Sequence, residues 1–171
     1  YKGVVIDYMS QLSLELGIEI STVPYKWVEA LRALKEGETD LCDVFVNEER
    51  AKYFVFTEPI YTLRTIMVAM ATKDYQQSDI QHMRVATQEG DYANWYIETF
   101  YPKAELIYVH DVGEGLKLLI EGKTDGVIGD EPVVSYYAGK LGIADKLETI
   151  GTSLYEEPVC LALPKAKAEL V

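Results

Sequence analysis

The chain has 171 residues, a formal net charge of −12 and a hydrophobic content of 49%. Its length suits one domain or two small lobes, and its hydrophobic content is enough for a buried core. The negative charge argues against a nucleic-acid partner, which would need a basic face, and against docking on anionic lipid. No apolar run reaches the roughly 20 residues that a membrane-spanning helix needs. The chain begins at Tyr1 without a methionine, and the pattern at 165–171 is typical of a helix that is just beginning, so we expect an excerpt of a longer protein.

The first half of the chain mixes helical and strand-like patterns. Apolar residues at helical spacing predict helices at 3–17 and 27–36. Alternation predicts a strand at 18–23, which Pro24 ends. Further strands are predicted at 41–46, 54–56 and 65–71, with one exposed helical turn before the second of these. The polar segment 73–79 is the best candidate for a crossing between lobes.

The second half alternates strands and helices more regularly. Strands are predicted at 83–87, 106–109, 126–130 and 159–163, and helices at 91–100, 112–121 and 132–141. We expect 147–155 to cross back to the first lobe. This alternation indicates an α/β fold with mainly parallel sheets.

One ten-residue pattern occurs twice, at 31–40 and 116–125. Each copy has two leucines three residues apart, then Glu-Gly and Thr-Asp, and a strand-like run follows. The leucines form one apolar helical face, the glycine ends the helix, and Thr-Asp begins the turn into a buried strand. A chance match is the alternative, since helix–glycine–strand joints are common. The repeat favours two similar lobes, and the cleft between two lobes is a typical site for a small ligand.

Two charged residues follow the strands of these units. Arg50 lies where open α/β sheets place ligands, and its guanidinium could clamp a carboxylate through two parallel hydrogen bonds. Its spacing alone fits better with a surface arginine paired with Glu48 or Glu49. Asp130 ends the second strand, where it could accept hydrogen bonds from a ligand ammonium or cap the helix that begins at Pro132. The residues leave both roles of Asp130 open.

Two further positions could contribute to a ligand site. Gly90-Asp91-Tyr92 joins a strand to a helix, so that free N–H groups at the helix start could meet an anion. Asp91 would oppose an anion, however, which favours a capping role for this residue. Trp27 could form a pocket wall or belong to the core.

No catalytic or metal-binding motif stands out. His82 and His110 have no serine or cysteine at a family spacing, so we expect structural or surface roles for them. Cys42 and Cys160 lie in strand-like runs without metal-ligand spacing, either as core thiols or as a disulfide between neighbouring strands. We expect no cofactor and no metal.

Five motifs follow one another in a fixed order along nearly the whole chain. They are Tyr1-Lys-Gly-Val-Val-Ile-Asp-Tyr8, Trp27-x-x-x-Leu31-x-x-Leu34-x-x-Gly37-x-x-Asp40, Glu49-Arg50-x-x-x-Phe54-x-Phe56-Thr57-x-Pro59, Arg84-Val85-Ala86-x-x-x-Gly90 and Leu119-x-x-Gly122-x-x-Asp125-x-x-x-x-Asp130. This order resembles the bacterial extracellular solute-binding proteins of family 3. The resemblance implies a two-lobed periplasmic-binding-protein-like fold of the second type, each lobe a mainly parallel sheet flanked by helices. It places the first lobe, without its N-terminal strand, at 1–72, the second lobe at 73–152 and the return to the first at 153–171.

The resemblance also assigns roles by position. It places the carboxylate-clamping arginine at Arg50, the acid for the ligand's ammonium at Asp130, the aromatic wall at Trp27, and the second-lobe helix start at Gly90, Asp91 and Tyr92, preceded by Gln88.

Some positions depart from the family pattern. Asp91 and Tyr92 stand where members often carry Ser or Thr. Asp43 and Phe45, which we also expect to contact the ligand, replace small polar residues before the arginine. These departures leave the ligand's identity open and allow a solute other than an amino acid.

The implied function is binding of a small polar solute, an amino acid or related carboxylate, in a cleft that closes about a hinge. The partner would be a membrane permease or a fused membrane signalling module, at the periplasmic or extracellular face of a bacterial membrane. One alternative is an enzyme resembling the cyclohexadienyl dehydratases, with Asp91 as its acid or base. Another is a structural module fused to a cell-wall lytic enzyme.

Overall fold

The structure, a computed structural model, describes residues 3–170. Within them lie six α-helices: α1 Val4–Leu16, α2 Trp27–Glu36, α3 Glu48–Ala51, α4 Tyr92–Phe100, α5 Val112–Ile120 and α6 Glu131–Leu141. The strands are β1 Cys42–Phe45, β2 Phe54–Phe56, β3 Tyr61–Met70, β4 Arg84–Gln88, β5 Glu105–Val109, β6 Gly126–Asp130, β7 Leu147–Thr149 and β8 Tyr155–Pro164. Short 3-10 helices occupy Gln77–His82, Ala144–Lys146 and Lys165–Leu170.

The strands form one mixed sheet in the order β1-β8-β3-β6-β4-β5, with β2 also on β8 and β7 also on β3. The α/β prediction is confirmed, but the parallel pairing is limited to β4 with β5 and β4 with β6. Strands β1 and β2 run antiparallel to β8, which differs from the expected mainly parallel first lobe. The reason is that β8 returns along the first lobe in the opposite direction and serves as the partner of both strands.

The long strand β3 joins the two groups of strands. It pairs with β8 over Tyr61–Thr65 and with β6 over Thr65–Val68. The change of partner therefore occurs inside β3, upstream of the polar segment 73–79. We use "first lobe" for α1–α3, β1, β2 and the part of β8 beside them, and "second lobe" for α4–α6 and β4–β7. The predicted limits at 1–72, 73–152 and 153–171 stay predictions.

Both copies of the repeat form a helix, a left-handed glycine and a strand. Gly37 follows α2 with φ +77°, and Gly122 follows the end of α5 with φ +69°. Leu34 and Leu116 are fully buried against the strands of their own lobes. The repeat thus builds the same local unit twice, and each unit leads to one of the charged residues singled out above.

The predicted strand at 18–23 is wrong, because this segment is irregular in the structure. Ile18 and Val23 are 53% and 54% exposed. Alternation can stabilise a strand only if a neighbouring strand supplies hydrogen-bond partners, and no strand among residues 3–170 pairs with this segment.

Both cysteines are free thiols in the described chain. The β1–β8 ladder pairs Cys42 with Ala162 and Val44 with Cys160, so that the two thiols are offset along the strands. Burial raises the pKa of the Cys42 thiol to about 12, which keeps it protonated and unreactive at neutral pH. The core-thiol interpretation is the one that the structure supports.

No helix among the described residues combines the length and the apolar character needed to cross a membrane.

Candidate functional site

A small cleft of about 130 Å³ lies between the two lobes, where β1, β4 and β6 end. Its lining residues are Trp27, Asp43, Val44, Phe45, Arg50, Leu63, Gln88, Asp91, Asp130 and Val159. Seven of the nine residues predicted to bind a ligand are in this set; Gly90 and Tyr92 are not. A wider depression of about 550 Å³ lies outside the cleft between α2 and α3 and shares only Arg50 with those predictions.

Arg50 is held in the cleft by the short helix α3. The Asn47 side chain caps this helix and accepts a hydrogen bond from the Arg50 N–H at 2.8 Å. Arg50 is only 7% exposed, and burial lowers its pKa. Glu49 pairs with Lys52 instead, so the interpretation of Arg50 as a surface arginine is wrong.

The Arg50 guanidinium contacts both lobes. Its Nη1 donates to the Phe45 carbonyl at 2.6 Å, and its Nη2 donates a longer bond to the Gly90 carbonyl at 3.4 Å. Its carbon Cζ lies 5.4 Å from the centre of the Trp27 ring, within the range of a cation–π contact. Because a guanidinium carries five N–H donors, three remain for a ligand.

The Gly90 carbonyl is a meeting point of the lobes. Trp27 Nε1 donates to the same oxygen at 3.1 Å, so that two first-lobe side chains bind one second-lobe carbonyl. Gly90 has φ +74°, and an added Cβ would lie 3.3 Å from Val28 Cγ2 of the first lobe. Tyr92, two residues further on, is buried, and the centre of its ring lies 5.7 Å from that of Phe45 and 5.2 Å from that of Tyr155.

Asp91 caps α4, as its position before the helix predicted. Its side chain accepts a hydrogen bond from the Ala93 N–H at 2.8 Å. Burial raises the pKa of Asp91, while the Ala93 bond and the positive charge of Arg50 act in the opposite direction. The Asp91 carboxyl also lines the cleft, so one group serves both as helix cap and as part of the wall.

Asp130 holds the N-cap position of α6, but its side chain makes no capping hydrogen bond. It accepts a hydrogen bond from Thr65 Oγ1 at 2.7 Å and faces the cleft. Burial, with smaller contributions from the carboxylates of Asp91 and Asp43, raises its pKa to about 6 against the opposing effect of the Thr65 hydrogen bond. A carboxylate held under these conditions gains from the approach of a cation.

Asp43 of the first lobe and Gln88 of the second lobe both line the cleft. The Tyr61 hydroxyl donates to Asp43 Oδ2 at 3.3 Å, and burial together with Asp43 raises the pKa of Tyr61. Gln88 Nε2 donates to the His110 carbonyl at 3.1 Å, which leaves its side-chain oxygen for the cleft.

Sequence reasoning missed the apolar wall and the supporting hydroxyls. Val44, Leu63 and Val159 line the cleft, and Thr65, Tyr61 and Tyr155 lie behind its acids. Thr65 carried one usable signal, since it is the one polar residue in the strand predicted at 65–71. Nothing in the sequence distinguishes the other five residues from ordinary strand residues.

Comparison with known proteins identifies the family. The sequence profile of the bacterial extracellular solute-binding proteins, family 3, matches residues 1–171. The chain belongs to this family. Virulence sensor protein BvgS of Bordetella pertussis is 27% identical over 182 residues, covering 100% of this chain and 14% of that protein. ABC transporter arginine-binding protein 1 of Escherichia coli is 23% identical over 152 residues, covering 86% of this chain and 63% of that protein.

Solved structures share the type II periplasmic-binding-protein fold. A histidine kinase sensor domain similar to periplasmic binding proteins superposes with a TM-score of 0.87 at 21% identity, covering 96% of this chain and 73% of that one. Holo ArgBP from T. maritima superposes with a TM-score of 0.86 at 20% sequence identity, covering 98% of this chain and 75% of that one. The ancestral amino-acid-binding protein AncCDT-1, a precursor of cyclohexadienyl dehydratase, superposes with a TM-score of 0.83 at 25% sequence identity. The superposition covers 99% of this chain and 75% of that one. The predicted two-lobed architecture is thus confirmed.

Proposed function

We propose that this chain binds an amino-acid-like solute in the cleft, without chemical conversion. The observation that carries the proposal is that Arg50 and Asp130 face one small cavity from opposite lobes with opposite charges. An α-amino acid presents the complementary pair of charges. In this assignment Arg50 clamps the carboxylate through its remaining N–H donors, and Asp130 accepts hydrogen bonds from the ammonium.

The ligand would act by favouring closure of the lobes. A solute that bridges Arg50 and Asp130 binds the closed arrangement better than an open one and so shifts the population toward it. The bonds from Trp27 and Arg50 to the Gly90 carbonyl support this idea, since they connect the two lobes directly.

Two settings for this binding event fit the family, at the periplasmic or extracellular face of a bacterial membrane. One is delivery to a membrane permease, as the name of the E. coli relative suggests for that protein. The other is ligand sensing by a domain fused to a membrane signalling module; the name of the Bordetella relative describes that protein as a virulence sensor, and the chain spans 14% of its length.

A thermal-shift screen against the amino acids, small carboxylates and polyamines tests the proposal. A ligand at a hundred times its dissociation constant adds about 2.7 kcal/mol, which raises Tm by roughly 5–10 °C in a domain of this size. We expect at least one α-amino acid to give such a shift. No shift with any α-amino acid would refute the proposal.

A second candidate is a cyclohexadienyl dehydratase-like enzyme. It is favoured by the raised pKa of Asp91, a carboxyl in the cleft that could hold a proton for a leaving group. It is weakened by the Ala93 hydrogen bond, which commits one Asp91 oxygen to the helix. Incubation with a cyclohexadienyl acid, with aromatisation followed by ultraviolet absorbance, separates the candidates: turnover that Asp91→Asn abolishes would establish the enzyme.

A further inference from the structure

The cleft carries more negative than positive charge. Asp43, Asp91 and Asp130 line it, and Arg50 is the one cationic residue in the lining. Even when Asp91, whose pKa is raised by burial, holds a proton, the carboxylates of Asp43 and Asp130 outnumber the single guanidinium. A neutral amino acid brings one charge of each sign and would leave the excess of carboxylates unchanged. Because buried charges without partners are costly, a closed cleft of this composition favours a ligand that supplies additional positive charge.

The start of α4 offers hydrogen-bond acceptors where an anion would need donors. The Ala93 N–H is bound by the Asp91 carboxylate, and the Asn94 N–H by the Asp91 carbonyl. With its amide oriented to satisfy its neighbours, Asn94 accepts a hydrogen bond from the Gly90 N–H at 3.0 Å. The second lobe therefore meets the ligand with the carboxyl groups of Asp91 and Asp130, which suit a cation.

We infer that the cleft takes a small ligand with two cationic groups and one carboxylate, such as an amino acid with a side-chain amine or guanidinium. This inference rests on the proposed function. The carboxylate binds Arg50, the α-ammonium binds Asp130, and the second cation binds Asp43. Asp43 suits that role because its one side-chain partner among the described residues is the Tyr61 hydroxyl at 3.3 Å, which leaves most of its hydrogen-bonding capacity unused.

Isothermal titration calorimetry with matched ligand pairs tests the inference. Ornithine is compared with norvaline, which lacks only the side-chain amine, and arginine with its neutral isostere citrulline. We expect the cationic member of at least one pair to bind about tenfold tighter or more, the effect of one hydrogen bond to a charged group. Asp43→Asn should remove most of that preference, because it should weaken the cationic ligand far more than the neutral one. The control Asp145→Asn, an exposed acid outside the cleft lining, should leave the preference unchanged.

Each outcome has one meaning. Neutral or acidic amino acids that bind as tightly as the cationic ones would overturn the inference and leave solute binding standing. A preference that survives Asp43→Asn, or that falls equally with Asp145→Asn, would also overturn it. No binding by any amino acid would refute the proposed function, and the inference with it.

Discussion

The two copies of the helix–glycine–strand unit have similar local structures and different positions in the sheet. In the first, α2 and Gly37 lead into β1, which lies at one end of the sheet and pairs only with β8 among the described strands. In the second, α5 and Gly122 lead into β6, which lies between β3 and β4. The first copy leads to Arg50 and the second to Asp130, at opposite walls of the cleft. A repeated local pattern has thus placed opposite charges on two sides of one site.

Removal of the positive charge should have the largest effect. Arg50→Ala should weaken a carboxylate ligand by about a hundredfold or more, because each hydrogen bond to a charged group contributes roughly 1.5–3 kcal/mol. Arg50→Lys should lose much of the affinity too, since an ammonium cannot reproduce the two parallel bonds. Calorimetry measures both losses. The control Arg32→Ala removes an exposed arginine paired with Glu36 and Glu38 and should leave affinity unchanged; equal affinity in Arg50→Ala would refute the clamp.

Removal of the negative charge should weaken binding and stabilise the ligand-free protein. The pKa of Asp130 is raised to about 6 in the folded state, so keeping it ionised above that pH costs stability. Asp130→Asn should therefore add about 1–3 kcal/mol to the free energy of unfolding at pH 8. Below the folded pKa the wild-type carboxyl protonates and the difference shrinks toward pH 4. Urea denaturation at pH 8 and pH 4.5 measures it, and a variant less stable than wild type at pH 8 would contradict this account.

The aspartates that end the two repeats should differ in their contributions to stability. Asp125 accepts hydrogen bonds from the N–H and side chain of Arg84, at 2.9–3.0 Å, whereas Asp40 is exposed and pairs with Lys167. Asp125→Ala should lower the free energy of unfolding by about 1–2 kcal/mol, and Asp40→Ala should lower it by at most about 0.5 kcal/mol. Denaturant titration compares them, and equal losses would mean that the two joints are equivalent.

The smallest expected effect separates a glycine at the cleft from a glycine away from it. Gly90 and Gly142 are both left-handed, at φ +74° and +66°, so alanine at either should cost about 1 kcal/mol of stability. Only at Gly90 would the added Cβ meet the opposite lobe, at Val28, while the position at Gly142 is open. Gly90→Ala should therefore also weaken ligand binding several-fold in calorimetry. Equal ligand affinity in the two variants would show that this contact plays no part in closure.

Local signals predicted the elements that glycines delimit. The helix at 27–36 and the strand at 126–130 were predicted to the residue, because Gly37 and Gly122 mark the turns. The prediction of a strand at 18–23 was wrong, and β3 begins earlier than the predicted strand at 65–71. Both differences arise because strand pairing depends on partners that are distant in sequence.

The site was harder to predict from residues alone. The spacing of Arg50 fits the surface better, and its burial follows from the Phe45 and Gly90 carbonyls that the fold brings to it. Family resemblance named it as a ligand residue, and that role stays a prediction. The acid cluster was not anticipated as a group, since Asp43 lies within β1, Asp91 is the N-cap of α4 and Asp130 ends β6.

The claim that one ligand bridges the two walls of the cleft is tested most directly by a thermodynamic cycle, measured by calorimetry, in which the ligand's carboxylate and the Arg50 side chain are removed singly and together. An amino acid that binds the chain and the amine formed by removing its carboxylate are each titrated into the wild type and into Arg50→Ala. If Arg50 clamps the carboxylate, either removal alone should weaken binding by about a hundredfold, and the second removal should add little. The coupling energy should then be about 2 kcal/mol or more. Losses that simply add would show that the carboxylate and Arg50 do not interact, and would contradict the account.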